Sequence, residues 1–262
     1  IHDLMEPETA GENIRVMSTS DGRVYDLSPI RAEAVTEVRT ALAVGTALTL
    51  VVEGDEIIQA STSTEKDLES LGEEYEEKSL EWPTDTINAS YAPTRFKTEQ
   101  EVKNLFESLE PLYKGQCYQR AMLWTSQMWR ERGVKSLKVF LFFTRRYIRE
   151  YNYKWWFHVT PYVLLADGQE RTLDYTFTDG PLSMKVWTDV FMENHATCPV
   201  AAKYSDYEDH QEAAHCYLRK VPMYYYQPLH IDESDRTGVA ITSFRDGDLG
   251  HAARGRCRFF CF

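Results

Sequence analysis

Cysteine is absent from the first 116 residues of this 262-residue chain, and tryptophan occurs there only at Trp82. No apolar run approaches the roughly 20 residues that a membrane-spanning helix needs. The longest strongly apolar stretch, Ala41 to Val52, is interrupted by Gly45, Thr46 and Thr49, so no membrane partner is expected. Positive charge is short: 29 Lys and Arg face 41 Asp and Glu, a net charge of −12. Nucleic-acid binding wants a basic surface, so that class of partner is excluded. The amino terminus is not signal-like, so any export signal has been removed or omitted. A trusted zinc spacing such as HExxH is also missing. His210 and His215, with Asp206, Glu208, Asp209 and Cys216, have a metal-like composition. They read as a polar surface segment, and no metal is expected.

What is present is unevenly shared. Residues 1–85 carry a net charge near −14 and the remainder about +2, while every cysteine and five of the six tryptophans lie in the second part. Two compositions in one chain argue for two functional units, 1–85 and 86–262. Five cysteines leave one unpaired if the rest form disulfides. Setting Cys117 apart leaves Cys198, Cys216, Cys257 and Cys261. The favoured pairing joins sequence neighbours, Cys198 with Cys216 and Cys257 with Cys261, among three connectivities. The first loop would add about 3 kcal/mol in the chain-entropy model. An odd count with one cysteine set apart favours a secreted or periplasmic protein over a reduced cytosolic one with buried thiols.

The first part reads as a small α+β unit. Asn13 to Thr19 and Arg23 to Leu27 are strand-like around Ser20-Asp21-Gly22, and Leu48 to Val52 pairs with Ile57 to Gln59 around Glu53-Gly54-Asp55-Glu56. Glu33 to Leu42 between them is a helix ending near Gly45. Residues 62–92, rich in Ser, Glu and Lys, read as an exposed linker or solvated helix, open to a protease. In the second part a helix from Glu99 to Leu109 starts at a capping box of Thr98 and Glu101. Strands are expected at Leu137 to Phe143, Trp155 to Leu165 and Glu170 to Phe177, with a helix from Ser183 to Asn194. Tyr224 to Tyr226 reads as an edge strand ending before Pro228, and Val239 to Phe244 as a further strand.

The chemistry-bearing residues follow a recognisable order. Gly115-Gln116-Cys117-Tyr118-Gln119-Arg120-Ala121 opens a helical pattern of Met122, Leu123, Trp124, Met128 and Trp129 that stops at Gly133. A cysteine on a helix's first turn meets the positive end of the dipole and unpaired N–H groups, which favour the reactive thiolate. His158 follows in Trp155-Trp156-Phe157-His158-Val159, and Asp174 in Leu173-Asp174-Tyr175. Singly, each has an ordinary structural explanation: an inert helix cysteine, a core histidine, a turn-capping aspartate. Together they form the sequence order of a Cys-His-Asp nucleophilic site. A two-residue Asp167-Gly168 turn would set His158 opposite Phe177. Facing Asp174 directly would need a hairpin centred near Ala166, through a longer loop or a bulge.

These three segments resemble the active-site segments of the bacterial secreted protein glutaminases, which convert side-chain Gln to Glu. Asn104-Leu105-Phe106, Val186-Trp187 and the terminal Cys261-Phe262 extend the similarity, which is good from about Lys97 to Asn194. The resemblance implies an α+β fold in which a papain- or transglutaminase-like nucleophile helix packs on an antiparallel sheet. In that family a pro-region occupies the cleft until proteolysis removes it. Val24-Tyr25-Asp26-Leu27-Ser28-Pro29 and Ile57-Ile58-Gln59-Ala60-Ser61 resemble parts of it. Residues 1–85 are then a pro-region, with a strand near Asp21 to Tyr25 across Cys117. An ordinary accessory domain is the alternative.

The resemblance implies a deamidase with Cys117 as nucleophile, His158 as base and Asp174 orienting it, and with no cofactor. Trp155, Trp156 and Tyr175 flank the catalytic pair and would wall a slot for the glutamine methylenes, although one of two adjacent strand tryptophans faces the core. Expected partners are proteins or peptides with exposed Gln and an activating protease, and the enzyme is expected to be a monomer. Competing readings are a transglutaminase-like acyl transferase, a cysteine peptidase with the same triad, and a non-catalytic binding protein with a vestigial triad.

Overall fold

This computed structural model of the protein describes residues 1–64, 91–113, 115–193 and 195–239. By its internal contacts the chain divides into two compact units that do not follow sequence order. One gathers Ile1–Glu73 with Phe143–Phe157, the other Glu74–Phe142 with His158–Phe262. The elements up to residue 62 are β1 (Asp3–Met5), β2 (Ile14–Met17), β3 (Val24–Leu27), α1 (Ala32–Val44), β4 (Leu48–Glu53) and β5 (Glu56–Thr62). After residue 90 come β6 (Arg95–Phe96), α2 (Glu99–Glu107), α3 (Cys117–Arg132), β7 (Leu137–Phe143), α4 (Arg145–Tyr151) and β8 (Phe157–Leu165). Then follow β9 (Glu170–Thr172), α5 (Met184–Phe191), α6 (Tyr204–Glu208), β10 (Cys216–Pro222) and α7 (Pro228–Thr237). The fold is α+β, as read from the sequence.

The first unit is a sheet in the order β1-β2-β3-β5-β4 with α1 against it. Both expected hairpins are present: β2 pairs antiparallel with β3, Ile14 opposite Leu27, and β4 with β5, Leu48 opposite Thr62. Alternate residues Ile14 and Val16, and Tyr25 and Leu27, share one face. They bury against Ala34, Val35 and Val38 of α1. That helix ends at Gly45, whose φ of 71° suits a residue without Cβ.

Residues 143–157 join this unit through a helix that sequence reading missed. Thr144 caps α4 by accepting from Tyr147 N at 3.3 Å, and Tyr147 and Ile148 are its buried residues. Backbone pairing then ties the segment to β3 and the turn before it: Val24 N donates to Lys154 O at 2.8 Å and Trp156 N to Gly22 O at 2.9 Å.

In the second unit the sheet order is β10-β7-β8-β6, with β9 also on β8. Central β8 is buried along nearly its whole length, which explains its almost unbroken apolar sequence. β9 runs antiparallel to it and the two-residue β6 parallel. Trp124 and Met128 of α3 and Val102, Leu105 and Phe106 of α2 pack with Val163, Leu165 and Leu173 in one core. The Thr98–Glu101 capping box forms as expected. A disulfide joins Cys198 to Cys216, 18 residues apart. Cys257, Cys261, Trp82 and most of Val239 to Phe244 lie outside the described residues. Among those described, no helix is long and apolar enough to cross a membrane.

Three strand expectations need correction. The strand expected from Trp155 begins at Phe157. β9 stops at Thr172 because the chain turns at Asp174, whose carbonyl accepts from Phe177 N and Thr178 N. Tyr224 to Tyr226 are not in a strand: β10 ends at Pro222, which offers no N–H, and Pro228 starts α7 in the first helical turn.

Candidate active site

Cys117 is the first residue of α3, a free and partly exposed thiol. The turn that presents it is fixed from both sides. Gln119 Oε1 accepts from Gln116 N at 2.7 Å, half of a reciprocal cap across three residues. The Arg120 guanidinium, one helical turn past Cys117, donates to the carbonyl of Gly115. Gly115 itself has a φ of 80°, open mainly to glycine.

His158 and Asp174 are each 1% exposed. Their contact follows from the hairpin. Tyr162 pairs with Thr172 and Leu164 with Glu170, around a three-residue loop, Ala166-Asp167-Gly168, closed by Leu165 N to Gln169 O at 2.8 Å. Gly168 takes a φ of 89° there. Neither turn weighed from the sequence is used. Extending this register sets Asp174 across from Thr160, on the same face as His158 and diagonal to it, a separation that side chains bridge. His158 Nε2 and Asp174 Oδ2 lie 2.7 Å apart.

Nε2 is thereby committed to the carboxylate. Burial disfavours a charged imidazole here, but the Asp174 carboxylate and the neighbouring Cys117 outweigh it and push the His158 pKa up to about 9. The protonated form is therefore the resting one near neutral pH.

Sequence reasoning missed the surroundings of this pair. Trp187, fully buried on α5, donates its Nε1–H to the same Asp174 oxygen at 2.9 Å. Phe191 lies 4.5 Å and Phe177 5.1 Å from the His158 ring, centroid to centroid. The Gln116–Gln119 spacing was a readable capping signal. Trp187 stood out only as part of Val186-Trp187, and its bond to Asp174 depends on how α5 packs.

The three aromatics expected to wall the substrate slot are placed differently. Tyr175 is in the second unit, stacked on Phe106 at 5.1 Å and edge-on to Tyr113 at 6.2 Å. Trp155 and Trp156 belong to the first. Trp155 bridges Arg23 through backbone pairing. Trp156 is fully buried, stacked on His2 at 4.1 Å with its Nε1–H given to Ser18 O at 2.7 Å.

Residues 96–191 match the family model described as Glutaminase. No curated protein matches the sequence. Among solved structures, a mutant pro-protein-glutaminase is similar with a TM-score of 0.54 at 14% identity, over 86% of this chain and 81% of that one. A crystal structure of pro-protein-glutaminase gives 0.49 at 14% identity, with the same 86% and 81%. The NMR structure of protein-glutaminase from Chryseobacterium proteolyticum gives 0.34 at 14%, over 52% of this chain and 77% of that one. At such identity it is the fold that the first of these shares with this chain. The stretch similar to the glutaminase family spans Cys117, His158, Asp174 and Trp187, and the chain shares the fold of pro-protein-glutaminase.

Proposed function

We propose that this chain is the latent form of a protein-glutamine deamidase, hydrolysing the side-chain carboxamide of protein-bound Gln to Glu and ammonia. The observation that carries this reading is the site itself. A helix-start cysteine shares a buried His–Asp pair, all inside the stretch that matches the glutaminase family.

In this reading Cys117 Sγ adds to the carboxamide carbon, and first-turn N–H groups of α3 meet the negative charge that develops on oxygen. As the C–N bond breaks, His158 gives its proton to the departing nitrogen, releasing ammonia and leaving a thioester. A water then loses a proton to His158 and adds to the thioester carbon. The C–S bond breaks, yielding glutamate and restoring the thiolate. Asp174, held by Trp187, keeps the imidazole oriented throughout. The scheme uses no metal or organic cofactor. Tyr175, in the same unit as Cys117, His158 and Asp174, is the proposed wall of the glutamine slot.

Residues 1–85 are the proposed pro-region, and 62–92 the stretch where an activating protease would cut. Two observations support latency. Gly22 and Val24 hydrogen-bond the backbone of Lys154 and Trp156, just ahead of His158 in sequence, and Trp156 is buried under His2. The enzyme is proposed to be a secreted or periplasmic monomer, which the Cys198–Cys216 disulfide fits.

Ammonia release from casein, before and after limited proteolysis and with a Cys117→Ala control, tests this. Release that appears on cleavage and vanishes in the control supports a glutaminase zymogen. Release before cleavage keeps the deamidase and removes the pro-region. No release in either state turns attention to amine transfer, peptide cleavage or a binding role.

A further inference from the structure

The segment Phe143–Phe157 carries Arg145, Arg146, Arg149 and Lys154 against one acid, Glu150. Arg146 turns along its own helix to Glu150 at 2.8 Å. The other three each meet a carboxylate of the amino-terminal segment: Arg145 with Asp3 at 2.6 Å, Arg149 with Glu8 at 2.9 Å, and Lys154 with Asp26 at 2.7 Å. Asp3 is on β1, Asp26 on β3, and Glu8 in the loop after β1. One basic row thus faces acid drawn from three separate stretches of chain, which is complementarity between surfaces. The whole sequence repeats the division, near −14 for residues 1–85 and about +2 beyond.

We propose that Arg145, Arg149 and Lys154 form a docking strip for acidic segments of protein substrates once the amino-terminal region has left. The proposal rests on the latent-deamidase reading and narrows its substrate class to glutamines in acidic surroundings. The strip lies in the part of the chain that stays after cleavage, and departure of residues 1–85 removes three carboxylates at once. Partly exposed ion pairs are individually weak, so another chain's carboxylates can replace them without a demanding fit. A basic row also speeds encounter with acidic partners. Lys154 is four residues ahead of His158 in sequence, so acid held there anchors the substrate on the segment that leads to the reacting histidine.

The test uses the full chain activated by limited proteolysis and freed of its amino-terminal fragment. Two peptides share one central glutamine, flanked in one by glutamates and in the other by serines. The acidic peptide is expected to show a KM about eightfold lower, roughly a factor of two per ion pair. That preference should collapse in about 0.5 M salt and in the triple variant Arg145→Gln, Arg149→Gln, Lys154→Gln. Equal KM values, or a preference that survives in the triple variant, would overturn the strip. If neither peptide yields ammonia, the deamidase reading fails, and fluorescence anisotropy of the same peptides decides the strip. Tighter binding of the acidic peptide, lost in the triple variant, upholds it; equal binding overturns it.

Discussion

Upstream of His158, the chain from Phe143 to Phe157 meets the amino-terminal segment through three partly exposed ion pairs and two backbone hydrogen bonds. Beside these are the buried Trp156, with its His2 stack and Ser18 bond, and the Arg15 bond to Ile148 O. Downstream, His158 sits among Phe177, Trp187 and Phe191, bonded to a buried carboxylate. The polar contacts are similar in kind but not in consequence. An exposed ion pair contributes about 0.2–1 kcal/mol and yields to salt. Breaking a buried one costs roughly 3–5 kcal/mol, because the remaining charge is stranded. The exposed ion pairs on one side of the Phe157–His158 bond are suited to letting go, the buried pair on the other to keeping its geometry.

The sharpest way to break this contrast is to empty the firm side. His158→Ala is expected to lower ammonia release by the activated enzyme by at least about 10³-fold, read as initial rates. The same imidazole sets an alkaline limit. Its pKa is raised from 6.5 to about 9, so the protonated, Asp174-paired form prevails below that value and is lost as pH rises through it. Any stability it adds is full below pH 6.5 and gone above about 9. A pH profile of kcat/KM should fall near 9, and a level profile well beyond that would contradict the assignment.

Next in size is the disulfide. Replacing Cys198 and Cys216 by alanine should remove about 3 kcal/mol of stability, measured by denaturant unfolding, while leaving the grip on residues 143–157 intact. Trp187→Phe keeps a ring but deletes the donor to Asp174. A hydrogen bond to a charged group is worth about 1.5–3 kcal/mol, so kcat should fall roughly tenfold or more with little change in KM. A change confined to KM would show that Trp187 acts on binding instead.

On the loose side, Gly22→Ala is expected to cost about 1–2 kcal/mol. Gly22 has a φ of 74°, and an added Cβ would lie 2.8 Å from Phe157 Cε1. Ammonia release before proteolysis should rise in this variant, and an unchanged rate would separate the grip from latency. Smallest of all, Asp26→Asn should weaken the unit by under about 1 kcal/mol, an effect that high salt erases.

How much of this the sequence disclosed depended on whether the signal was local. The turn at Gly22, the Thr98–Glu101 cap and the stops at Gly45 and Gly133 are written in a few adjacent residues, and each element formed within two or three positions of its reading. Helix α4 was not read because its residues are mostly charged or tyrosine, so Tyr147 and Ile148 gave too short an apolar face; Thr144 was its usable signal. Cys117, His158 and Asp174 were legible through their order. Trp187 was not, because its bond to Asp174 depends on α5 folding back across 13 residues. Nor could charge counting foresee that Phe143–Phe157 would join the amino-terminal segment, since each ion pair spans more than 120 residues.

The three-residue loop at Ala166-Asp167-Gly168 makes the chain tolerant of length change in one place and intolerant just beyond it. Residues added inside the loop leave Asp174 on the face of His158, because a longer connection costs little and the rungs are unmoved. One residue added between Glu170 and Asp174 instead turns the carboxylate to the opposite face, while two restore the face and shift it by one rung pair. Insertions near this site therefore fall into odd and even classes, a parity that substitution scanning cannot detect.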